Sequence, residues 1–321
     1  MHARLCPLYY PLRQANLIEW GFPMPDIPVW NKCDNRCVMC ANSRSFTLNS
    51  GRHYLLRRQA LRLERHLRGA AVYSKNARVE GAWNLTGGEP CLNPDFLKAI
   101  AYFRRRLPGE QLTLLSNGRR FADRDFAAAF AAVAKPPFTL AVSLHGPSAA
   151  AHDAVAGVKG AFSQTRDGLK NIFSLPGAPF IEIRVILHRL NYRRLEATLG
   201  FIKRSFRGRT YRVVLMHYEH EGRGARNQAK LGVKISGTAG AVNAVSRALL
   251  GFREARLYHF PLCLLKPGLR RLAVVSLPRE DRVYPPVCGP CRERAGCVGL
   301  MRPYFRGYGA GELKAIRGGK L

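Results

Sequence analysis

The feature that most limits how this chain can fold is a repeated alternation of short apolar runs with longer segments of helical period. The apolar runs fall at residues 27–30, 83–85, 111–115, 138–144, 180–187 and 211–216. Helical patterns lie between them at 52–68, 95–106, 125–134, 164–173 and 192–206. Gly69 ends the first of these and Asn93-Pro94 introduces the second, the usual stop and start signals. Strands alternating with helices imply β/α crossover units and a parallel sheet. Six such units predict an α/β fold, a partial (β/α)6 TIM-like barrel. A further helix at 239–250 and a strand at 255–258 end the barrel, and 221–224, with two glycines, reads as a flexible loop. In barrels of this kind chemistry gathers at the C-terminal strand ends.

The richest of those ends follows residues 27–30. Cys33, Cys37 and Cys40 stand in a C-x3-C-x2-C spacing within eight residues. A loop this short brings three sulfurs around one inorganic centre, zinc or iron–sulfur. No fourth ligand is near: the next cysteine is Cys91 and the nearest histidine His53. Three ligands with an open corner describe a reactive centre rather than a closed structural one. The strand at 83–85 leads into Gly87-Gly88-Glu89-Pro90. Its glycines permit close approach of a ligand to the backbone, and Glu89 can accept hydrogen bonds from an ammonium group.

This pair of motifs resembles the radical S-adenosylmethionine (SAM) superfamily. The resemblance implies that Cys33, Cys37 and Cys40 hold a 4Fe–4S cluster whose fourth iron is chelated by the methionyl end of SAM. Gly87, Gly88 and Glu89 would bind that end. The reduced cluster would then cleave SAM to a 5′-deoxyadenosyl radical, so the cofactor carries the hard chemistry and the protein positions it. Met39 resembles the residue that packs on the adenine, although core packing suits it equally. Ser116 and Ser143 resemble positions that contact the SAM carboxylate or ribose, with a plain turn role as the rival. Arg184, a charge within a strand, either holds the SAM carboxylate or pairs with an acid elsewhere in the barrel. Cys91, His145 and His188 read as buried structural residues.

A second cysteine set lies near the end of the chain: Cys263, then Cys288, Cys291 and Cys297, the last three in C-x2-C-x5-C spacing. Four thiolates suit one closed iron–sulfur cluster or one zinc, and spacing does not choose between them. The spacing resembles part of the SPASM region of peptide-modifying radical SAM enzymes. Met301 stands where the fuller pattern has another cysteine, so the resemblance implies a shortened, twitch-like form with a single second 4Fe–4S cluster, zinc being the alternative. These residues define a small C-terminal cysteine-rich metal-binding extension. The expected organisation is an N-terminal extension at 1–26, a barrel at 27–258 and an auxiliary-cluster region at 259–321.

Further runs, 182–188 and 261–265 above all, resemble the His-Xaa-Ser system radical SAM maturases of the HxsC type. That branch implies a ribosomally made peptide or protein as substrate and an electron donor such as ferredoxin or flavodoxin.

Composition bounds the rivals. The 321 residues are 47% apolar, enough for a sizeable core. The net charge of +31 raises an RNA-modifying radical SAM enzyme as an alternative. Its arginines are dispersed (Arg57, Arg119, Arg193, Arg253, Arg306) and no aromatic-interleaved RNA-binding motif accompanies them, so nucleic acid is the less favoured partner. A non-catalytic zinc or iron–sulfur binding protein is the third reading, and it has no need of Glu89. No apolar run approaches the roughly 18 residues of a membrane span, and the first twenty residues lack the order of a signal peptide. A cytoplasmic protein without membrane partners is expected, with its nine cysteines serving as ligands rather than disulfides.

Overall fold

The computed structural model describes residues 26–69 and 82–317. Cys6 and the N-terminal extension up to residue 25 lie outside the described residues. Eight parallel strands form one sheet in sequential order: β1 (Asp26–Trp30), β2 (Ala82–Gly87), β3 (Gln111–Ser116), β4 (Phe138–Ser143), β5 (Phe180–Leu187), β6 (Tyr211–His217), β7 (Glu254–Tyr258) and β8 (Ala273–Val274). This is the α/β, partial TIM-like barrel expected from the alternation. The sheet runs past the last anticipated strand, because β8 pairs with β7 through Leu257 and Ala273. A two-residue strand carries no periodicity that a sequence could reveal. Beyond it, β9 (Arg282–Val283) and β10 (Leu300–Met301) form a small antiparallel ribbon.

The charged residues of the sheet are confined to one face. Leu112, Leu114, Leu140, Ile183, Val213, Leu215 and Leu257 point outward into one core with Phe96, Phe103, Phe121, Phe130 and Ile202 of the covering helices. Phe121 and Phe130 pack with ring centroids 4.9 Å apart. Each such side chain contributes about 1.5–3 kcal/mol by leaving water. The alternate residues face the lumen and are mixed: Thr113, Thr139, Glu182, Arg184, Arg212 and Glu254 stand among Ala141, Val214 and Met216. There Arg212 bridges Glu182 at 3.1 Å and Glu254 at 2.9 Å, while Arg184 Nε meets Glu182 at 2.5 Å. Burial pushes Glu182 up, but the two guanidiniums hold its carboxyl below the usual range.

Three local expectations change. The segment 52–68 divides into a 3-10 turn, Gly51–Tyr54, and a helix, Leu56–Leu67. Leu55 is extended between them, and the Leu56 N–H donates to Asp95 at 3.0 Å. The helix at 239–250 breaks at Val245 into Ile235–Ala244 and Ser246–Leu250. The supposed flexible loop at 221–224 instead opens a short helix, Gly222–Arg226, whose Arg223 N–H donates to the Cys40 carbonyl at 2.8 Å. Its glycines are required by packing rather than by flexibility: a Cβ on Gly222 would stand 2.4 Å from the Ala41 carbonyl oxygen.

Candidate active site

The cysteine loop leaves the C-terminal end of β1 and is held from several sides. The Arg36 and Val38 N–H groups donate to Ala156 and Val155 at 2.8 and 2.9 Å, at the end of the helix Ala149–Ala156. Asn227 Nδ2 donates to the Val38 carbonyl at 2.8 Å. From the end of β3, Asn117 Nδ2 donates to Asp34 at 2.7 Å and Arg119 pairs with Asp34 at 3.1 Å. Cys33 is exposed, and Cys37 and Cys40 are half-buried. The Asn35 N–H points at Cys33 Sγ from 3.4 Å. Burial and the neighbouring Cys40 push the Cys37 thiol up to about 11, so a thiolate there needs a cation beside it. Met39 is buried in a small cluster with Val155, Tyr218 and Leu231, on which Cys37 and Val38 also pack.

The glycine turn docks directly on this loop. The Gly88 N–H donates to Trp30 at 2.7 Å and the Glu89 N–H to Lys32 at 2.8 Å. Asn42 Nδ2 donates to the Gly87 carbonyl at 2.7 Å. Gly87 has φ +133, and a Cβ on Gly88 would lie 2.2 Å from the Lys32 oxygen. Only glycine fits both positions. Glu89 is 1% exposed. Its Oε1 accepts from Ser116 Oγ at 2.8 Å and the Cys91 N–H at 3.1 Å, and its Oε2 from the Asn117 N–H at 2.7 Å. Burial raises its carboxyl against these three donors. Cys91 is buried beneath, with its sulfur 3.8 Å from Ser116 Oγ.

Cys33, Cys37, Cys40, Gly87, Gly88, Glu89 and Ser116 are therefore brought together at the ends of β1, β2 and β3. Ser143 and Arg184 are backbone register partners two strands further on, facing the lumen. Arg184 is paired with Glu182 and its guanidinium stands 5.7 Å from the centre of the Tyr258 ring. His145 and His188 are buried, but His145 Nδ1 and His188 Nε2 have no hydrogen-bond partner among the described residues. The sequence reading missed the web of Asp34, Asn117, Arg119 and Asn42 that fastens the two motifs. An Asn-Gly turn at a strand end was its one visible signal.

The second cysteine set also converges: Cys263, Cys288, Cys291 and Cys297 line one cavity beside Tyr284 and Leu313. The Leu262 and Gly299 N–H groups both point at Cys297 Sγ from 3.4 Å. Burial and the neighbouring sulfurs raise the thiols of Cys263, Cys288 and Cys297. Among the described residues, no three His, Cys, Asp or Glu side chains are arranged to hold a single metal ion. The donor sets are all sulfur in both places: the three thiolates of the loop fit an iron–sulfur cluster, and the four near the end of the chain fit a second cluster or one zinc.

Streptococcus suis SuiB bound to S-adenosylmethionine superposes with a TM-score of 0.54 at 15% identity, over 74% of this chain and 51% of that one. SuiB bound to its precursor peptide SuiA gives 0.52 at 14%, over 73% and 49%. Native anSMEcpe with bound AdoMet and Kp18Cys peptide gives 0.55 at 14%, over 73% and 63%. The chain thus spans about half the length of SuiB, and at these identities the likeness is one of fold. No curated protein sequence matches the chain. The model of the Radical SAM superfamily matches residues 27–202, more than half of the chain and the whole stretch that carries the cysteine loop, the glycine turn and Glu89, and the chain belongs to that superfamily.

Proposed function

We propose that this protein is a SAM-cleaving radical enzyme that modifies a ribosomally made peptide or protein. The observation that carries the reading is the docking of Gly88 and Glu89 onto the backbone of the cysteine loop. It puts a buried carboxylate beside an all-sulfur donor set. Besides the Ser116 hydroxyl and the Cys91 and Asn117 N–H groups, the Cys91 thiol approaches Glu89; a thiol is a weak donor, and an ammonium group would displace it as the stronger, charged one. An ammonium there also offsets the desolvation that raises Glu89.

In this reading Cys33, Cys37 and Cys40 hold the catalytic 4Fe–4S cluster, and Gly87, Gly88 and Glu89 receive the methionyl end of SAM. When bound, the cluster and SAM supply a 5′-deoxyadenosyl radical that takes a hydrogen atom from the substrate. Ser116 and the Asn117 N–H hold Glu89 in place. Met39 walls the adenine side, and Ser143 and Arg184 lie in one layer to receive the carboxylate or ribose. Cys263, Cys288, Cys291 and Cys297, in the region 259–321, hold one auxiliary 4Fe–4S cluster rather than zinc. Electrons come from a ferredoxin or flavodoxin in the cytoplasm. No helix among the described residues is long and apolar enough to cross a membrane.

The structures of SuiB with SuiA and of anSMEcpe with a peptide support a peptide substrate. The runs 182–188 and 261–265 support the HxsC-type branch. The test is formation of 5′-deoxyadenosine by the anaerobically reconstituted, reduced protein. Wild type forms it and Cys40→Ala does not. Equal cleavage by both proteins overturns the reading.

A further inference from the structure

Among the described residues, the lumen face of β5, β6 and β7 carries three guanidiniums, Arg184, Arg212 and Arg256, and two carboxylates, Glu182 and Glu254. Glu254, Arg256 and Tyr258 alternate with Ala255 and Leu257 along β7; the latter two pack outward on the core, so the former three face the lumen. Both lumen carboxylates there are occupied. Glu182 is shared by Arg184 and Arg212, and Glu254 pairs with Arg212. Arg256 is half-buried and has no ion-pair or hydrogen-bond partner among the described residues. A guanidinium that faces the lumen and holds no carboxylate keeps its donor fork available to an anionic ligand.

Register fixes where that ligand would sit. Ser143 pairs with Arg184, Arg184 with Val214, and Val214 with Arg256, so the four share one layer across β4 to β7. Arg256 stands two strands from Arg184, about 10 Å at the usual strand spacing. Glu89 and the cysteine loop belong to β1, β2 and β3, on the far side of Ser143. The wall at β7 is the part of the lumen that the proposed SAM contacts leave free. Tyr258, two residues along the same face, has the Arg184 guanidinium 5.7 Å from its ring centre.

We propose that Arg256 is the receptor for a carboxylate of the substrate, from an Asp or Glu side chain or a peptide C-terminus, held in the lumen opposite SAM. This rests on the reading of the protein as a peptide-modifying SAM enzyme. The guanidinium fork suits bidentate carboxylate binding, and Tyr258 packs beside the attached methylenes.

The experiment is saturation-transfer difference NMR on the reconstituted full chain with three probes: N-acetyl-Gly-Glu-Gly-amide, its Gln analogue capped at both ends, and the Gln analogue with a free C-terminal carboxylate. A charged hydrogen-bonded pair gives about ten-fold tighter binding of a carboxylate probe over the capped Gln probe. Whichever carboxylate probe responds identifies the source. Arg256→Gln removes the preference and Arg256→Lys keeps part of it. Equal signals from all three probes, or a preference that survives Arg256→Gln, overturn the proposal; the first result decides even where the variant fails to fold. The KM for SAM in reductive cleavage stays unchanged in Arg256→Gln, and a ten-fold rise would move Arg256 to SAM and overturn it too. Absence of SAM cleavage in wild type is a separate result that sinks the enzyme reading.

Discussion

Ser116 Oγ donates a 2.8 Å hydrogen bond to Glu89 Oε1, across the ends of two neighbouring strands. Ser116 therefore acts through Glu89: its hydroxyl fixes the carboxylate that the SAM ammonium would meet. Ser116→Ala removes one donor from Glu89 and raises the KM for SAM about ten-fold, the worth of one hydrogen bond to a charged group. Glu89→Ala abolishes SAM cleavage. Both are read by 5′-deoxyadenosine formation at varied SAM concentration. An unchanged KM in Ser116→Ala would place the serine outside the SAM site.

Gly88→Ala tests the docking of the two motifs. The new Cβ meets the Lys32 carbonyl oxygen at 2.2 Å, a backbone atom that cannot rotate away. The cysteine loop must shift, at a cost of about 1–3 kcal/mol. The variant melts at lower temperature and retains less iron after reconstitution. Gly109→Ala, where a Cβ meets nothing within 4 Å, is the control and leaves both unchanged.

The fold was legible in this chain because its strands bury one apolar face against helices and its turns carry glycine or asparagine. The cysteine loop and Glu89 were legible because close spacing betrays them. The missing parts are tertiary. Arg223 and Gly224 resemble a loop in sequence, yet their N–H groups point at the Cys40 carbonyl from 2.8 and 3.3 Å. The ion pair of Arg184 with Glu182 takes shape only once β5 sets the two on one face beside Arg212. Arg256 carries no sequence signal, because an excess of charge in a lumen exists only once the strands are paired.

The cavity of four cysteines predicts a split in metal content. Wild type reconstituted anaerobically binds about eight irons per chain, as expected for two 4Fe–4S clusters. Cys291→Ala binds about four and still cleaves SAM. The variant lacking Cys33, Cys37 and Cys40 also binds about four and cleaves none. Iron and zinc analysis checks this. One zinc with about four irons in wild type would make the C-terminal site structural.

The buried histidines predict loss of stability in mild acid. Burial lowers His152, His188 and His259 from the ordinary 6.5 to about 4, and each is at most 3% exposed. A neutral histidine in the fold takes up a proton on unfolding wherever the pH lies below 6.5. The unfolded chain then binds more protons than the folded one, so stability rises with pH across this window. The contribution is complete above pH 6.5 and is lost progressively down to about pH 4. Each group costs about 1.4 kcal/mol per pH unit inside the window. The urea midpoint at pH 5.5 should lie well below that at pH 7.5, and replacing His188 by Asn should flatten the slope. Equal midpoints at the two pH values would mean that these rings are charged or solvated in the folded chain.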